Sequence, residues 1–477
     1  MPKDLRAYIQ QIKTILPGEF ARIDRVVDSK FEATAVLRKL ELAGRYPLAF
    51  FSHPKTVDGA ASDFPLVFNA FSSRKKLCLA LDMDVNDCGM ALPLALSQRY
   101  AKGISPITVS PTDAPVKERV AKGDGCGFHR LPIPVHHEKD GGPYILCGSA
   151  ITKDPTSGHN NLAMIRMQIK DDKTAVIHAE PYHHTGMILK KYGGMGKKAP
   201  LVVVIGHHPG FYLGSQWEGK IGTKEYEMCG SALGEPLRLV PSETWGEDFM
   251  VPADAEIVLE CEADWNDKQE EGPVCEFTRH SRNIMGDLVT KNMDPSVRLL
   301  AMTSRGDAYY QSLFIGHAEH VLIGSIPKEA VLYRRIRESH PGIRQVHLTP
   351  AGCGRYMCYL SIEQSAPGEA REAILAAFAC DRYLKYVFAV DDDVDVFLDE
   401  EVLWAMATRT RPDTCTFTIP NTMGTSVDPM VDPDDKRSAK MGIDATRPFG
   451  VPFPEVCEAP RGLLDAIRLE DYISEGE

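Results

Sequence analysis

Residues 144–169 decide how the chain is read: YILCGSAIT (144–152) and LAMIRMQI (162–169) are two apolar runs separated by DPTSG (154–158). Asp, Pro, Ser and Gly preset turn dihedrals or bond their own backbone, so two extended runs around such a cluster predict a β-hairpin. The texture continues on either side. Extended runs at 201–206, 256–261 and 296–303 are divided by Gly, Pro and Asp, and residues 106–315 are expected to form a β-rich central domain, a barrel.

The flanks read differently. Within residues 1–105 Asp4 opens a helix and 20–27 is extended. A second helix follows, with Ser29-x-x-Glu32 spaced as a capping box and Gly44 as its stop. Strands at 48–51 and 66–68 and a helix at 92–102 complete an amino-terminal α/β unit. Residues 316–477 return to alternation, with strands expected at 321–326, 344–348, 357–363, 387–390 and 414–419. Helices are expected at 329–339, 369–379 and 400–408, and the chain beyond Pro420 reads as irregular until a short helix near Leu463. The fold class is therefore α/β multidomain, in three units.

Composition narrows the function. A chain of 477 residues suits about three domains, and 43% hydrophobic with 25% charged residues is a globular balance. A net charge of −12 without a basic patch argues against a nucleic-acid partner. Twelve cysteines with no C-x-x-C pair read as reduced thiols of a cytoplasmic protein. The first sixteen residues form an amphipathic helix rather than a cleavable leader, and the longest apolar run, 199–206, is far short of the ~20 residues of a membrane span.

Common nucleotide and zinc-protease motifs are missing. Gly196-Lys197 has Lys191 where a P-loop needs Gly, no G-x-G-x-x-G occurs, and His317-Ala318-Glu319-His320 has the wrong spacing for a zinc helix and reads as a surface turn. Two sets of polar residues remain. Arg166 interrupts an apolar strand and needs a carboxylate. Glu271 and Glu276 flank Gly272-Pro273, a bend that turns both toward one point, as an anion site or as a structural salt bridge. The second set is Asn161, His183, His184, Glu225 and Glu227, a mixed N/O donor set suited to Mn²⁺ or Mg²⁺ carrying a phosphate. His184 also opens a helix, whose amino terminus favours an anion. The plainer reading of His136-His137, His183-His184 and His207-His208 is surface or satisfied core histidines.

These residues resemble the UbiD family of prenylated-FMN-dependent decarboxylases, nearly end to end. The resemblance runs through Asp4-Leu5-Arg6, RIDR (22–25), DGGPY (140–144), NLAMIRMQI (161–169), EYE (225–227), VPADAEIVLE (251–260) and EGPVCEF (271–277). It continues through DDDVD (391–395), WAMATR (404–409) and KMGIDAT (440–446). It implies a split β-barrel flavin-binding domain and a carboxyl-terminal oligomerisation domain forming homodimers or homohexamers. It implies Mn²⁺ on Asn161, His184 and Glu225, with Glu227 as the alternative ligand, and a K⁺ ion nearby. Ala163, Met164, His183, Ser215 and Trp217 would border the flavin, and a flavin prenyltransferase would supply it.

Removing CO₂ from an sp² carbon leaves a carbanion that no side chain can stabilise, and the modified flavin is the implied electron sink. Arg166 would hold the carboxylate of an aromatic, heteroaromatic or α,β-unsaturated acid, Glu271 would hold Arg166, and Glu276 would deliver the proton, reversibly at high CO₂. The chain departs from the family in three places. Residues 241–250 form a longer segment, which bears on pocket shape, and Val274-Cys275 replaces a common Phe-Gly. Asp307 stands where hydroxybenzoate-type members carry His, which disfavours a catechol-like acid. Asn161 and Arg166 would face opposite sides of a flat strand, so Asn161 is expected in the turn before it, or a bulge between them. The competing reading is an FMN-binding redox protein of split-barrel fold, with Arg166, Glu271 and Glu276 structural; a third is a non-catalytic assembly factor.

Overall fold

The computed structural model describes residues 2–217, 219, 222–288, 291–432 and 434–472. It begins with α1 (Leu5–Ile15), whose cap Asp4 accepts the Ala7 N–H at 2.8 Å and whose inner face buries Leu5, Tyr8, Ile9 and Ile12. Next come β1 (Phe20–Val27), α2 (Glu32–Leu42), β2 (Leu48–Pro54), β3 (Leu66–Phe68), α3 (Arg74–Ala80) and α4 (Ala91–Tyr100). The capping box does not form. Ser29 is buried and its hydroxyl donates to the Thr56 carbonyl, while Phe31 takes the cap position at φ 70° and Glu32 accepts the Asp28 N–H at 2.9 Å.

The central strands are β4 (Ile107–Thr108), β5 (Arg119–Lys122), β6 (Tyr144–Lys153), β7 (Asn160–Ile169) and β8 (Thr174–Ile177). Then follow α5 (His184–Gly194), β9 (Ala199–Ile205), α6 (Pro209–Ser215), α7 (Glu225–Leu233), β10 (Arg238–Ser242), β11 (Gly246–Pro252), β12 (Ile257–Glu271), β13 (Asn292–Ser304) and β14 (Tyr310–Gln311). The quoted stretch is the β6–β7 hairpin, with Thr152 opposite Asn161. Strands β12-β9-β6-β7-β8-β13 pair in that order and β13 returns to β12, closing a six-stranded barrel that leaves only β5 outside on β13. Ile145, Ala150, Met167, Val203, Ile205, Leu259 and Leu299 belong to one buried core cluster. Asn161 lies within the strand rather than in the preceding turn. The irregularity falls in the partner strand instead, where Ile145 faces Met167 and Gly148 faces Ile165. Gly148 suits that point, because a Cβ there would come within 2.7 Å of the Val203 side chain.

The carboxyl-terminal part carries α8 (Ala318–Arg337), β15 (Ile343–His347), β16 (Met357–Ile362), α9 (Glu369–Cys380), β17 (Tyr386–Asp391), α10 (Asp399–Arg409), α11 (Pro412–Cys415), β18 (Thr416–Met423) and β19 (Arg437–Ala445). Its sheet runs β15-β16-β17-β19-β18. Two expectations fail here. The strand expected at 321–326 lies in the first half of α8, where every residue from Val321 to Pro327 is buried, and a helical stretch covered on all sides shows no amphipathic period. The tail expected to be irregular after Pro420 contains β19, which lies parallel to β17 and antiparallel to β18. Its sequence RSAKMGIDA lacks an apolar run, and long-range pairing holds it extended.

All twelve cysteines are free. Among the described residues no helix is long and apolar enough to cross a membrane. The His317–His320 turn is not on the surface: His317 pairs with Glu41 at 2.6 Å and Glu319 is fully buried. His136, His207 and His208 are buried too, and burial pushes His136 and His207 down to about 3 and His208 well below its ordinary value. At His136 and His207 the unfolded chain takes up a proton near pH 6.5 and the folded chain only near pH 3, so stability is full above 6.5 and is lost as pH falls through that window. Each such imidazole costs about 2.5 kcal/mol between pH 6.5 and 4.5. His207→Gln keeps an acceptor for the His208 N–H, now supplied by His207 Nδ1 at 2.8 Å. Its Tm is expected to fall less between pH 7 and pH 4.5 than that of the wild type, and an equal fall in calorimetry refutes the assignment.

Candidate active site

Strand β7 carries both polar centres. Toward its carboxyl end, Arg166 is buried and donates from Nε to Glu271 Oε1 at 3.0 Å and from Nη2 to Glu271 Oε2 at 3.1 Å, a side-on fork. Its Nη1 donates to Glu276 Oε1. Glu271 ends β12 and is fully buried; the chain then leaves the barrel through Gly272, at φ 102°, and a cis Pro273, and returns Glu276 to the same guanidinium. Burial works against the Arg166 charge, but Glu276 and Glu271 outweigh it and hold the guanidinium protonated.

Sequence reasoning missed the surroundings of Glu271. Asn292 of β13 lies opposite it in register and offers Nδ2 at 3.5 Å, and His178 Nδ1 pairs with Asp294 Oδ2 at 2.8 Å beside it. The only hint was that β12 and β13 are long strands with polar residues near their shared end.

At the other end of β7, Asn161 donates from Nδ2 to Thr185 Oγ1 at 3.0 Å. The next residue's N–H, that of Leu162, donates to Glu225 Oε2, and Glu225 Oε1 lies 3.8 Å from His184 Nδ1. His184 and Glu225 are the first residues of α5 and α7, so two helix amino termini meet at this strand. Glu227 turns away, accepting from Ser105 Oγ at 3.1 Å and Lys224 Nζ at 3.0 Å. Burial pushes Glu225 up to about 7 against the pull of the Leu162 N–H, and His184 is its only ion-pair partner among the described residues. A buried carboxylate with an imidazole and an amide beside it, and no Lys or Arg, is a donor set that suits a divalent cation.

A cavity of about 830 Å³ opens between the barrel and the carboxyl-terminal part. Ala163, Met164, Arg166, His183 and Glu276 line it, as do Leu313, Ile315 and Ile323 and, from the far side, Arg355, Arg382 and Lys436. Its volume lies in the range of small-molecule and cofactor sites. Ser215 and Trp217 do not line it, although Gln216 between them does. Ser215 turns inward to Ser149 Oγ at 2.9 Å, and Trp217 faces a separate groove of about 280 Å³ between α4 and α8. Residues 241–250 form part of the β10–β11 hairpin and touch no wall of the cavity. Asp307 is an exposed partner of Arg6 at 2.8 Å, also outside the cavity.

Comparison with known proteins agrees with this architecture. Residues 17–91, 107–318 and 321–445 match, in turn, the N-terminal, Rift-related and C-terminal domains of 3-octaprenyl-4-hydroxybenzoate carboxy-lyase. A curated relative, anhydromevalonate phosphate decarboxylase of Methanothermobacter thermautotrophicus, is 29% identical over 431 residues, 90% of this chain and 94% of the relative. The UbiD-class enzyme HmfF from Pelotomaculum thermopropionicum, solved with FMN, superposes with a TM-score of 0.88 at 33% identity, covering 98% of this chain and 100% of that one. An evolved dimeric form of HmfF, solved with prFMN, gives a TM-score of 0.85 at 31% identity over the same shares. With all three domains matched in order and a structural relative aligned over nearly its whole length, this chain belongs to the UbiD family and is a decarboxylase.

Proposed function

We propose that the chain removes CO₂ from an aromatic, heteroaromatic or α,β-unsaturated carboxylic acid with prenylated FMN as cofactor, Arg166 binding the carboxylate and Glu276 supplying the proton. The observation that carries this reading is Arg166 held between Glu271 and Glu276 in the wall of the large cavity. A guanidinium has five N–H donors. Among the described residues three are engaged, which leaves two, one on each terminal nitrogen, matched to the two oxygens of a substrate carboxylate.

The two acids divide by position. Glu271 is fully buried and does not line the cavity, so its work is to fix the guanidinium; Glu276 lines it and can reach a bound substrate. As CO₂ leaves, Glu276 places its proton on the carbon that carried it, and in the reverse direction it takes one away. The bound flavin supplies the electron sink that side chains lack. Asn161, His184 and Glu225 would hold Mn²⁺, with K⁺ as a second cation of the cofactor site, and the metal would neutralise the otherwise unbalanced Glu225 carboxylate. Arg166, Lys291, Arg355, Arg382 and Lys436 outnumber Glu180, Glu276 and Asp287 on the cavity wall, a charge balance that suits a phosphate and an acid bound together.

Two experiments test this reading in enzyme co-expressed with a flavin prenyltransferase. Glu276→Gln is expected to lower CO₂ release by about 10²–10⁴-fold while retaining bound flavin. Undiminished turnover on a panel of cinnamic, furoic, pyrrole and hydroxybenzoic acids returns the triad to the structural role it has in the redox reading. Glu225→Gln is expected to co-purify with less manganese and less flavin per chain, read by elemental analysis and absorbance, with the far-UV circular dichroism unchanged. Full manganese and flavin in that variant remove Glu225 from the metal site.

A further inference from the structure

One donor cluster lies outside everything assigned above. His137, Asp140 and Cys275 each offer an atom within 4.8 Å of the others, where the loop entering β6 crosses the loop between Glu271 and Glu276. We propose that these three residues form a second metal site, selective for a thiophilic divalent cation such as Zn²⁺.

The cluster is held in place before any ion arrives. Asp140 Oδ1 accepts the Cys275 N–H and Oδ2 accepts the His137 N–H, both at 2.9 Å. The Gly141 N–H donates to the Pro273 carbonyl at 2.7 Å, and the loops pack so closely that a Cβ on Gly141 would fall 2.3 Å from the Gly272 carbonyl oxygen. The imidazole of His137 is the unsatisfied member. Both its ring nitrogens are buried and neither forms a hydrogen bond among the described residues; Nδ1 comes to 3.3 Å from Asp140 Oδ2 without the alignment of one. Ligands bound at 2.0–2.3 Å to a common tetrahedral ion stand roughly 3.3–3.7 Å apart, and the His137–Asp140 ion pair already has that spacing. Phe314 and His317 stack near the ring, at 5.5 and 5.8 Å between centroids, and fix its plane.

The donor types set the preference. One thiol, one imidazole and one carboxylate make an S/N/O set, softer than the N/O set at Asn161, His184 and Glu225, and thiolate favours Zn²⁺ over Mn²⁺. Binding therefore exchanges the thiol proton, which passes to solvent, for a metal–sulfur bond, with no change in oxidation state. Three protein ligands leave a fourth position for water. Because Cys275 immediately precedes Glu276, an occupied site clips the backbone of the proton donor to the barrel. The inference does not depend on the identity of substrate or flavin.

Cobalt reports thiolate directly, through an intense near-ultraviolet charge-transfer band that N/O ligands do not give. The full chain, stripped with a chelator, is titrated with Co²⁺ alone and followed by difference spectra, then with Zn²⁺ alone. One thiolate-bound Co²⁺ per chain is expected, displaced by one equivalent of Zn²⁺. The band is expected to vanish in Cys275→Ser, to need at least about tenfold more Co²⁺ in His137→Ala, and to persist in Glu225→Gln, which keeps this signal apart from the first metal site. Absence of the band in the wild type, or its survival in Cys275→Ser, overturns the proposal. Should the serine variant not fold, the X-ray absorption of the wild-type chain with one Zn²⁺ decides: one sulfur at about 2.3 Å supports it, and a shell of nitrogen and oxygen alone overturns it.

Discussion

A guanidinium buried in a barrel wall is the constraint from which the rest of this structure follows. Desolvating Arg166 costs several kcal/mol unless its partners are in place, and they are not neighbours in the sequence. Glu271 arrives on β12, joined to β7 only through β9 and β6 on one side or β13 and β8 on the other. The ion pair therefore forms only when the barrel is closed in register. A slip of β12 by one residue would turn Glu271 to the opposite face, leaving Arg166 without its fork. That register also sets Asn292 opposite Glu271 and puts Asp294 beside His178, so the polar shell around the triad is a product of strand pairing.

The same strand carries both polar centres, of which the Arg166 end lines the cavity and Asn161, His184 and Glu225 do not. Asn161 and Arg166 are five residues apart on β7, roughly 16 Å along an extended strand. One end gathers two helix amino termini, with Glu225 and His184 at their first positions, a donor set that suits a divalent cation. The other end gathers a cation between two acids and favours a carboxylate.

Much of this was legible in the sequence because its signals are local. DPTSG marks the hairpin turn, Asp4 marks a helix start, and an arginine in an apolar run announces a partner that Glu271-Gly272-Pro273 then supplies. What could not be read depends on distant contacts. Ser29-x-x-Glu32 has the right spacing for a cap, but tertiary packing claims Ser29 for the Thr56 carbonyl. β19 has no apolar run, and only β17 and β18 make it a strand. The choice between Glu225 and Glu227 depends on which face of α7 meets β7. Ser215 and Trp217 are separated from the cavity by the direction of α6 and the turn after it, which a linear motif does not encode.

The largest misreading, a strand in the first half of α8, concerns the element that joins the three parts of the molecule. Glu319 in its first turn accepts the backbone N–H groups of Asn69 and Phe71 at 2.8 and 3.2 Å, which anchors the helix to the amino-terminal part. His320 and Ile323 one turn on line the cavity. Glu329 two turns further binds Arg74 at 2.9 Å and His347 at 2.8 Å, tying the amino-terminal part to the carboxyl-terminal sheet. Burial pushes Glu319 up to about 7 despite its two amide donors, whereas at the equally buried Glu329 Arg74 and His347 outweigh burial and hold the carboxyl below its ordinary range. A helix tied to other elements at its first turn and again at Glu329 has little freedom to rotate, so the cavity wall between those anchors is fixed by contacts outside the cavity. That all-round engagement is also what erased the periodic pattern by which a surface helix is recognised.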